Sequence, residues 1–176
     1  MNMTILILSD THGNTEGLKH VLSLHRDSDA IIHLGDGCQD FKGIDLGGIP
    51  LYRVRGNCDE FYNNFGTLKD EEVIELGGMR ILMTHGHRLD VKSGLKKAAS
   101  YAVSKDVDIL LYGHTHVPQE IELKAGDRVG ITLLEKPMWI FNPGSLEKLR
   151  GCKMPSFGVL TIRDGQVLLS HGKISH

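Results

Sequence analysis

The run Ile5-Leu6-Ile7-Leu8 leads directly into Ser9-Asp10-Thr11-His12-Gly13-Asn14. An uninterrupted aliphatic run has no polar face, so it reads as a strand buried on both sides, as at the centre of a parallel sheet. Gly13 and Asn14 are turn formers and take the chain out of the sheet just past His12. A carboxylate and an imidazole two residues apart therefore stand at the carboxyl end of a central strand. Open α/β sheets bind their ligands at this edge. Taken alone, the pair serves equally well as an ordinary loop that caps the next helix, and the rest of the chain must decide.

The segment Thr15 to Arg26 carries Leu18, Val21, Leu22 and Leu24 at helical spacing, with Asn14 or Thr15 as N-cap. Residues 30–34 form a second strand ending in Gly35-Asp36-Gly37, and 38–48 are a Gly-rich short helix and loop. A third strand over 51–54 ends in Arg55-Gly56-Asn57-Cys58-Asp59. Strands 72–76 and 79–83 flank the hairpin signal Gly77-Gly78, and the second runs into Thr84-His85-Gly86-His87. A helix is expected over 93–104 and a buried strand over 107–112, ending in Gly113-His114-Thr115-His116. Strands near 119–124, 129–134 and 138–141 follow, then Asn142-Pro143-Gly144-Ser145 and a hairpin over 157–171 turning at Asp164-Gly165. The first two-thirds alternates strands with helices and the last third is mostly β.

These 176 residues suit one domain spanning 1–176, with 40% hydrophobic content and no linker or repeat. A net charge of −2 argues against a broad nucleic-acid surface, and no apolar run is long enough for a membrane helix. The chain opens directly on a strand without a leader pattern. Its three cysteines, Cys38, Cys58 and Cys152, suit free thiols in a reducing cytoplasm.

One pattern recurs at five strand ends: Asp10 with His12, then Asp36, Asn57, His85, and His114 with His116. Right-handed crossovers keep βαβ strands parallel and bring these ends to one edge. Carboxylates and imidazoles together suit divalent manganese, iron, nickel or zinc. Seven such residues exceed one tetrahedral zinc and fit two ions. Two divalent ions, two carboxylates and a bridging hydroxide leave one net positive charge, which suits a singly charged phosphodiester.

The blocks Asp10-x-His12, Gly35-Asp36, Gly56-Asn57-x-Asp59, His85-Gly86 and Gly113-His114-x-His116 resemble the calcineurin-like metallophosphoesterases. Asn142-Pro143-Gly144-Ser145 is similar to their small bacterial and archaeal phosphodiesterase branch. The resemblance implies an α/β fold, a two-sheet β-sandwich flanked by helices in four α-β-β-α layers. It implies a dinuclear centre in which Asp10, His12 and His116 bind one metal, Asn57, His85 and His114 bind the other, and Asp36 bridges. Asn57 would also touch the phosphate, so Asn57, Asp36 and His85 carry the chemistry. Manganese is the first expectation, with iron, nickel, zinc or magnesium as alternatives. The implied activity is a phosphodiesterase in which a hydroxide held by both metals attacks a small phosphodiester. The alternatives are a phosphomonoesterase or protein phosphatase of the same fold, and a non-catalytic scaffold like the retromer subunit. Every ligand position is filled here, which favours an enzyme.

Many family members carry a His after the third-block Asn, where it protonates the leaving group. Cys58 stands there instead, a weak acid that reads as a packing residue and favours diesters. The segment 117–140 is longer than is usual in the branch and is expected to shape the rim or an oligomer contact. Substrate choice is expected in loops 38–48, 60–70 and 117–140, and a homodimer is the default assembly. Asp59 caps a helix or stands behind the ligands, and His87 stands at the rim or behind them. His33 reads as a satisfied core residue, and His20 and His25 as surface positions. Arg55 and Arg88 reach either a phosphate or solvent, and Trp139 is core or dimer surface. His171 and His176 receive no role.

Overall fold

The aliphatic run of residues 5–8 lies in the central strand of a mixed sheet, where the parallel strands meet an antiparallel hairpin. In the computed structural model, which describes residues 2–61, 67–147 and 154–174, β1 (Asn2–Leu8) pairs in parallel with β2 (Ala30–His33). Strand β2 in turn pairs in parallel with β3 (Leu51–Arg53). Residues 62–66 of the expected 60–70 loop, Cys152 and His176 lie outside the described residues. On the other side of β1, β11 (Ser156–Arg163) and β12 (Gln166–Lys173) add an antiparallel hairpin, giving the order β12-β11-β1-β2-β3.

The second sheet has the order β4-β5-β6-β10-β7, from β4 (Glu71–Leu76), β5 (Met79–Thr84), β6 (Ile109–Tyr112), β7 (Gln119–Leu123) and β10 (Met138–Asn142). Strands β5, β6 and β10 are mutually parallel. Each sheet thus contains three parallel strands, at one side of the first sheet and at the centre of the second.

Alternate side chains of each central strand face different partners. Ile5 and Ile7 join Ile32, Met83, Leu111, Phe141 and Leu160 between the sheets. Leu6 and Leu8 face outward and meet Leu18 and Val21 of α1 (Thr15–Leu24). On the far side, Ala98, Ala99 and Ala102 of α2 (Lys96–Ser104) pack on Leu82, Leu110 and Ile140. The small side chains let this helix lie close to its sheet. The layers run α-β-β-α, and burial on both faces explains why β1 has no polar alternation. Asn14 caps α1, its Oδ1 accepting the Gly17 N–H at 3.0 Å. No helix of the described residues is long and apolar enough to cross a membrane.

Three expectations need correction. The strand expected over 129–134 is a short ribbon of β8 (Arg128–Val129) and β9 (Thr132–Leu133), because the chain reverses at Gly130, φ 60°. Val129 and Leu134 turn into the α2 core while Ile131 is left exposed, so one continuous strand has no common face to bury. The second helix starts at Lys96 rather than residue 93, after left-handed Asp90 and Gly94 break the chain. His25 is half-buried, its ring edge-on to Phe157 at 5.1 Å. His33 is a satisfied core residue: it is fully buried, and its Nδ1 accepts the Gly35 N–H at 3.3 Å.

Candidate metal centre

Each candidate side chain stands one to four residues past the end of β1, β2, β3, β5 or β6. The loops that carry them are stitched together by the backbone. Asp10 N–H donates to Gly35 O at 3.0 Å, His12 N–H to Asp36 O at 3.2 Å, and Gly113 N–H to His85 O at 3.1 Å. Other bonds cross between the sheets: the His114 N–H donates to Asp10 Oδ2 at 3.1 Å, and Glu147 N–H to Asp10 O at 3.0 Å. The glycines before the ligands belong to this packing. A Cβ on Gly113 would collide with Ser9 Oγ and Asp10 Oδ2, and one on Gly56 with the Asp36 backbone.

The structure brings the seven residues together. Ligand atoms of Asp10, His12 and His116 form one group within 4.8 Å of one another, and those of Asp36, His85 and His114 form another. Asp36 Oδ2 lies 3.3 Å from His85 Nε2 and 3.7 Å from His12 Nε2, between the two groups. Asn57 Oδ1 and His114 Nδ1 each lie 3.2 Å from His85 Nε2. Asp10 and His85 side chains are fully buried, whereas those of His12 and His116 are 23% and 25% exposed, so the centre opens on their side.

Hydrogen bonding identifies what this arrangement requires. His85 Nδ1 lies 2.8 Å from the Leu34 carbonyl, which can only accept, so that nitrogen carries the proton. In the neutral ring Nε2 then presents a lone pair toward Asp36 Oδ2, Asn57 Oδ1 and His114 Nδ1. Asp10 Oδ1 is buried and accepts no hydrogen bond among the described residues, although His116 Nε2 stands 3.0 Å away. Converging acceptors repel one another unless a cation lies among them, and this oxygen–nitrogen set suits a divalent metal. The fit to metal is therefore good.

The electrostatics show where positive charge is drawn: burial pulls the His85 imidazole down, but the Asp36 and Asp10 carboxylates outweigh it and push it up, so the cluster attracts a proton or a metal ion to the same place. Burial pushes the Asp10 carboxyl up, but contacts with His116 and His12 and the field of His85 outweigh it and hold the group well below the usual carboxylate range. Burial likewise opposes ionisation of Asp36, yet His85 and the Cys58 N–H bring it down to about 2. Burial, then His85 and Lys92, push His114 down to about 4, leaving its imidazole neutral and free to ligate at neutral pH.

Behind the ligands, Asp59 receives four backbone N–H groups: Asp36 at 2.7 Å and Gly56 at 2.9 Å on Oδ2, Gly37 at 2.9 Å and Cys38 at 3.0 Å on Oδ1. It also opens the short 3-10 turn Asp59–Phe61. The carboxylate's four bonds therefore run to the Asp36 and Gly56 loops rather than to the turn it opens. His87 has both ring nitrogens buried without a hydrogen-bond partner among the described residues, with its ring 5.4 Å from His85. Arg55 and Arg88 both pair with Asp70, at 2.8 and 2.7 Å, rather than standing free in solvent. Cys58 Sγ lies near His12 and Asp36, and burial with the Asp36 carboxylate pushes its thiol up to about 11.

The model of the calcineurin-like phosphoesterase superfamily domain matches residues 3–165. The chain belongs to that superfamily. A probable metallophosphoesterase, YsnB, of Bacillus subtilis is 32% identical over 163 residues, covering 92% of this chain and 86% of that protein. The phosphodiesterase YfcE of Escherichia coli K12 is 26% identical, covering 90% and 87%. A predicted phosphoesterase structure from Streptococcus pneumoniae superposes with TM-score 0.74 at 27% identity, covering 98% of this chain and 90% of that one. Vacuolar Protein Sorting 29 of Cryptosporidium parvum shares the fold, with TM-score 0.70 at 17% identity over 99% of both chains. This chain is accordingly a phosphoesterase of the superfamily, whose members bind divalent metals.

Within this metallophosphoesterase, the sequence reading missed several supporting side chains. Asp40 Oδ2 accepts from Thr11 Oγ1 at 2.6 Å and Gly13 N–H at 2.9 Å, steadying the β1 loop from a weakly patterned segment that gives no warning of it. Asn142 Nδ2 donates to Gly113 O and Thr115 Oγ1, both at 3.0 Å, and Ser145 Oγ donates to Asp10 O at 2.9 Å. The Asn-Pro-Gly-Ser block, noticed only as a resemblance, is thus a strap across both ligand loops. Glu147 Oε2 lies 3.3 Å from His116 Nδ1. The backbone is strained where the candidate ligands sit: Asp10, His12, Asp36, His114 and His116 all have φ between 42° and 66°.

Proposed function

We propose that this metallophosphoesterase hydrolyses small phosphodiesters with two divalent ions, manganese first among them. The observation that carries the reading is the convergence of lone pairs from Asp36, Asn57, His85 and His114 beside the unsatisfied Asp10 Oδ1. Asp10, His12 and His116 would hold one ion, Asn57, His85 and His114 the other, with Asp36 shared. Bound there, the ions would supply Lewis acidity toward the phosphoryl oxygens and acidify a water for in-line attack.

The chain's own residues set the limits of the chemistry. Leu34 O fixes the His85 tautomer, and Asp59 holds the Asp36 and Asn57 loops in register. Position 58 offers a thiol held near 11, a poor proton donor to a departing alkoxide at neutral pH. Leaving groups that depart unaided, such as aryl oxides, are therefore favoured. The name of the relative YfcE, a phosphodiesterase, supports the diester over the monoester.

The test is hydrolysis of bis(p-nitrophenyl) phosphate and p-nitrophenyl phosphate by EDTA-stripped protein before and after adding Mn(II). Activity restored by the metal with the diester turned over faster is the expected result. Failure of every divalent ion to restore hydrolysis refutes the reading, and a faster monoester refutes the diester assignment. Asp36→Asn should remove activity and weaken both ions.

A further inference from the structure

We propose that Glu147 is a positioning residue for the first metal half-site, fixing the tautomer of His116 so that Nε2 is the ligating atom. The proposal rests on the metal reading above and extends it to a residue outside the ligand motifs. A histidine ligand is useful only with the correct nitrogen deprotonated, and a carboxylate on the opposite nitrogen enforces that choice and raises ligand basicity.

The geometry supplies such a carboxylate. Glu147 Oε2 lies 3.3 Å from His116 Nδ1, while His116 Nε2 lies 3.0 Å from Asp10 Oδ1. An acceptor on Nδ1 places the proton there and leaves a lone pair on Nε2, facing the oxygen that has no hydrogen bond. His85 obtains the same setting from the Leu34 carbonyl. The two half-sites thus use different orienting groups, a neutral carbonyl for one and a charged side chain for the other.

Glu147 is held in place independently of its side chain. Its N–H donates to Asp10 O at 3.0 Å and to Ser145 Oγ at 2.9 Å. The neighbouring Leu146 is buried, its N–H bonded to Ser9 O at 3.2 Å and its carbonyl to Asn14 Nδ2 at 2.7 Å. Replacing the side chain therefore leaves the strap intact. The His116–Glu147 pair is partly open to solvent, at 25% and 31% exposure, so its effect is on orientation more than on fold stability.

The experiment is calorimetric titration of metal-free wild type, Glu147→Gln and Glu147→Ala with Mn(II). It is paired with melting temperatures in EDTA and long-range 1H–15N spectra of the histidine rings. In Glu147→Ala one ion should weaken about 10–100-fold while the other is unchanged. Glu147→Gln should lose less, since its amide oxygen still accepts the Nδ1 proton. Metal-free melting temperatures should match, and His116 should be an Nδ1–H tautomer in wild type and a mixture in Glu147→Ala. Wild-type affinity for both ions in both variants, equal weakening of both ions, or an unaltered tautomer refutes the proposal. A wild type that binds no Mn(II) overturns the metal reading itself, and this inference with it.

Discussion

Asp59→Asn tests how the bridging loop is held. The carboxylate receives two N–H groups on each oxygen, from Asp36 and Gly56 on one and from Gly37 and Cys38 on the other. An amide keeps one accepting oxygen and turns an NH2 group toward two donors, whichever way it is placed. The residue is 2% exposed, so water does not relieve the two stranded N–H groups. At about 1–3 kcal/mol for each unsatisfied buried group, the variant should lose about 2–6 kcal/mol. For a chain of this size that lowers the melting temperature by roughly 5–20 °C. The stranded groups belong to the Asp36 and Gly56 loops, so Mn(II) affinity should fall in the same variant. Thermal unfolding in EDTA measures the first effect and calorimetric titration the second. A melting temperature within about 2 °C of wild type, below the smallest of these losses, would show that Asp59 does not organise the loop.

Other outcomes follow from the same structure. Burial pushes the His33 imidazole down to about 4, against the fields of Asp59, Asp10 and Asp40. Because the folded value is depressed, its contribution is complete above the unfolded value of 6.5 and is lost as pH falls toward 4. Urea unfolding in EDTA across that window should show His33→Gln with a slope shallower by up to about 1.4 kcal/mol per pH unit. Phe141→Ala empties a fully buried position between the sheets and should cost about 3–5 kcal/mol, read from the denaturation midpoint. Gly113→Ala drives a methyl group into Ser9 Oγ and Asp10 Oδ2, and metal analysis should show weakened binding even where circular dichroism is unchanged.

The parts of the fold that could be read in advance were those where one local rule acted alone. Residues 5–8 announce a strand buried on both faces, and Gly77-Gly78 and Asp164-Gly165 announce their hairpins. Asp10, His12, Asp36, Asn57, His85, His114 and His116 stood out because each follows a strand end, and parallel pairing gathers such ends. What was hidden depends on contacts distant in sequence. Asp40 meets Thr11 across 29 positions, and Ser145 reaches Asp10 across 135, with no local periodicity to mark either. The ribbon at 128–133 escaped because apolar Ile131 and Leu133 imitate a strand pattern while facing solvent.

The left-handed backbone at Asp10, His12, Asp36, His114 and His116 bears on how such a chain evolves. Left-handed geometry at a non-glycine residue costs on the order of 1–3 kcal/mol, so five such positions amount to a sizeable share of an ordinary domain's stability. Selection for catalysis keeps them; selection for a durable fold does not. Substituting glycine at His12 or His116 would relieve strain while discarding a proposed ligand. A descendant freed from hydrolysis therefore becomes sturdier as its centre decays, and loss of activity is the downhill direction unless function is continually tested.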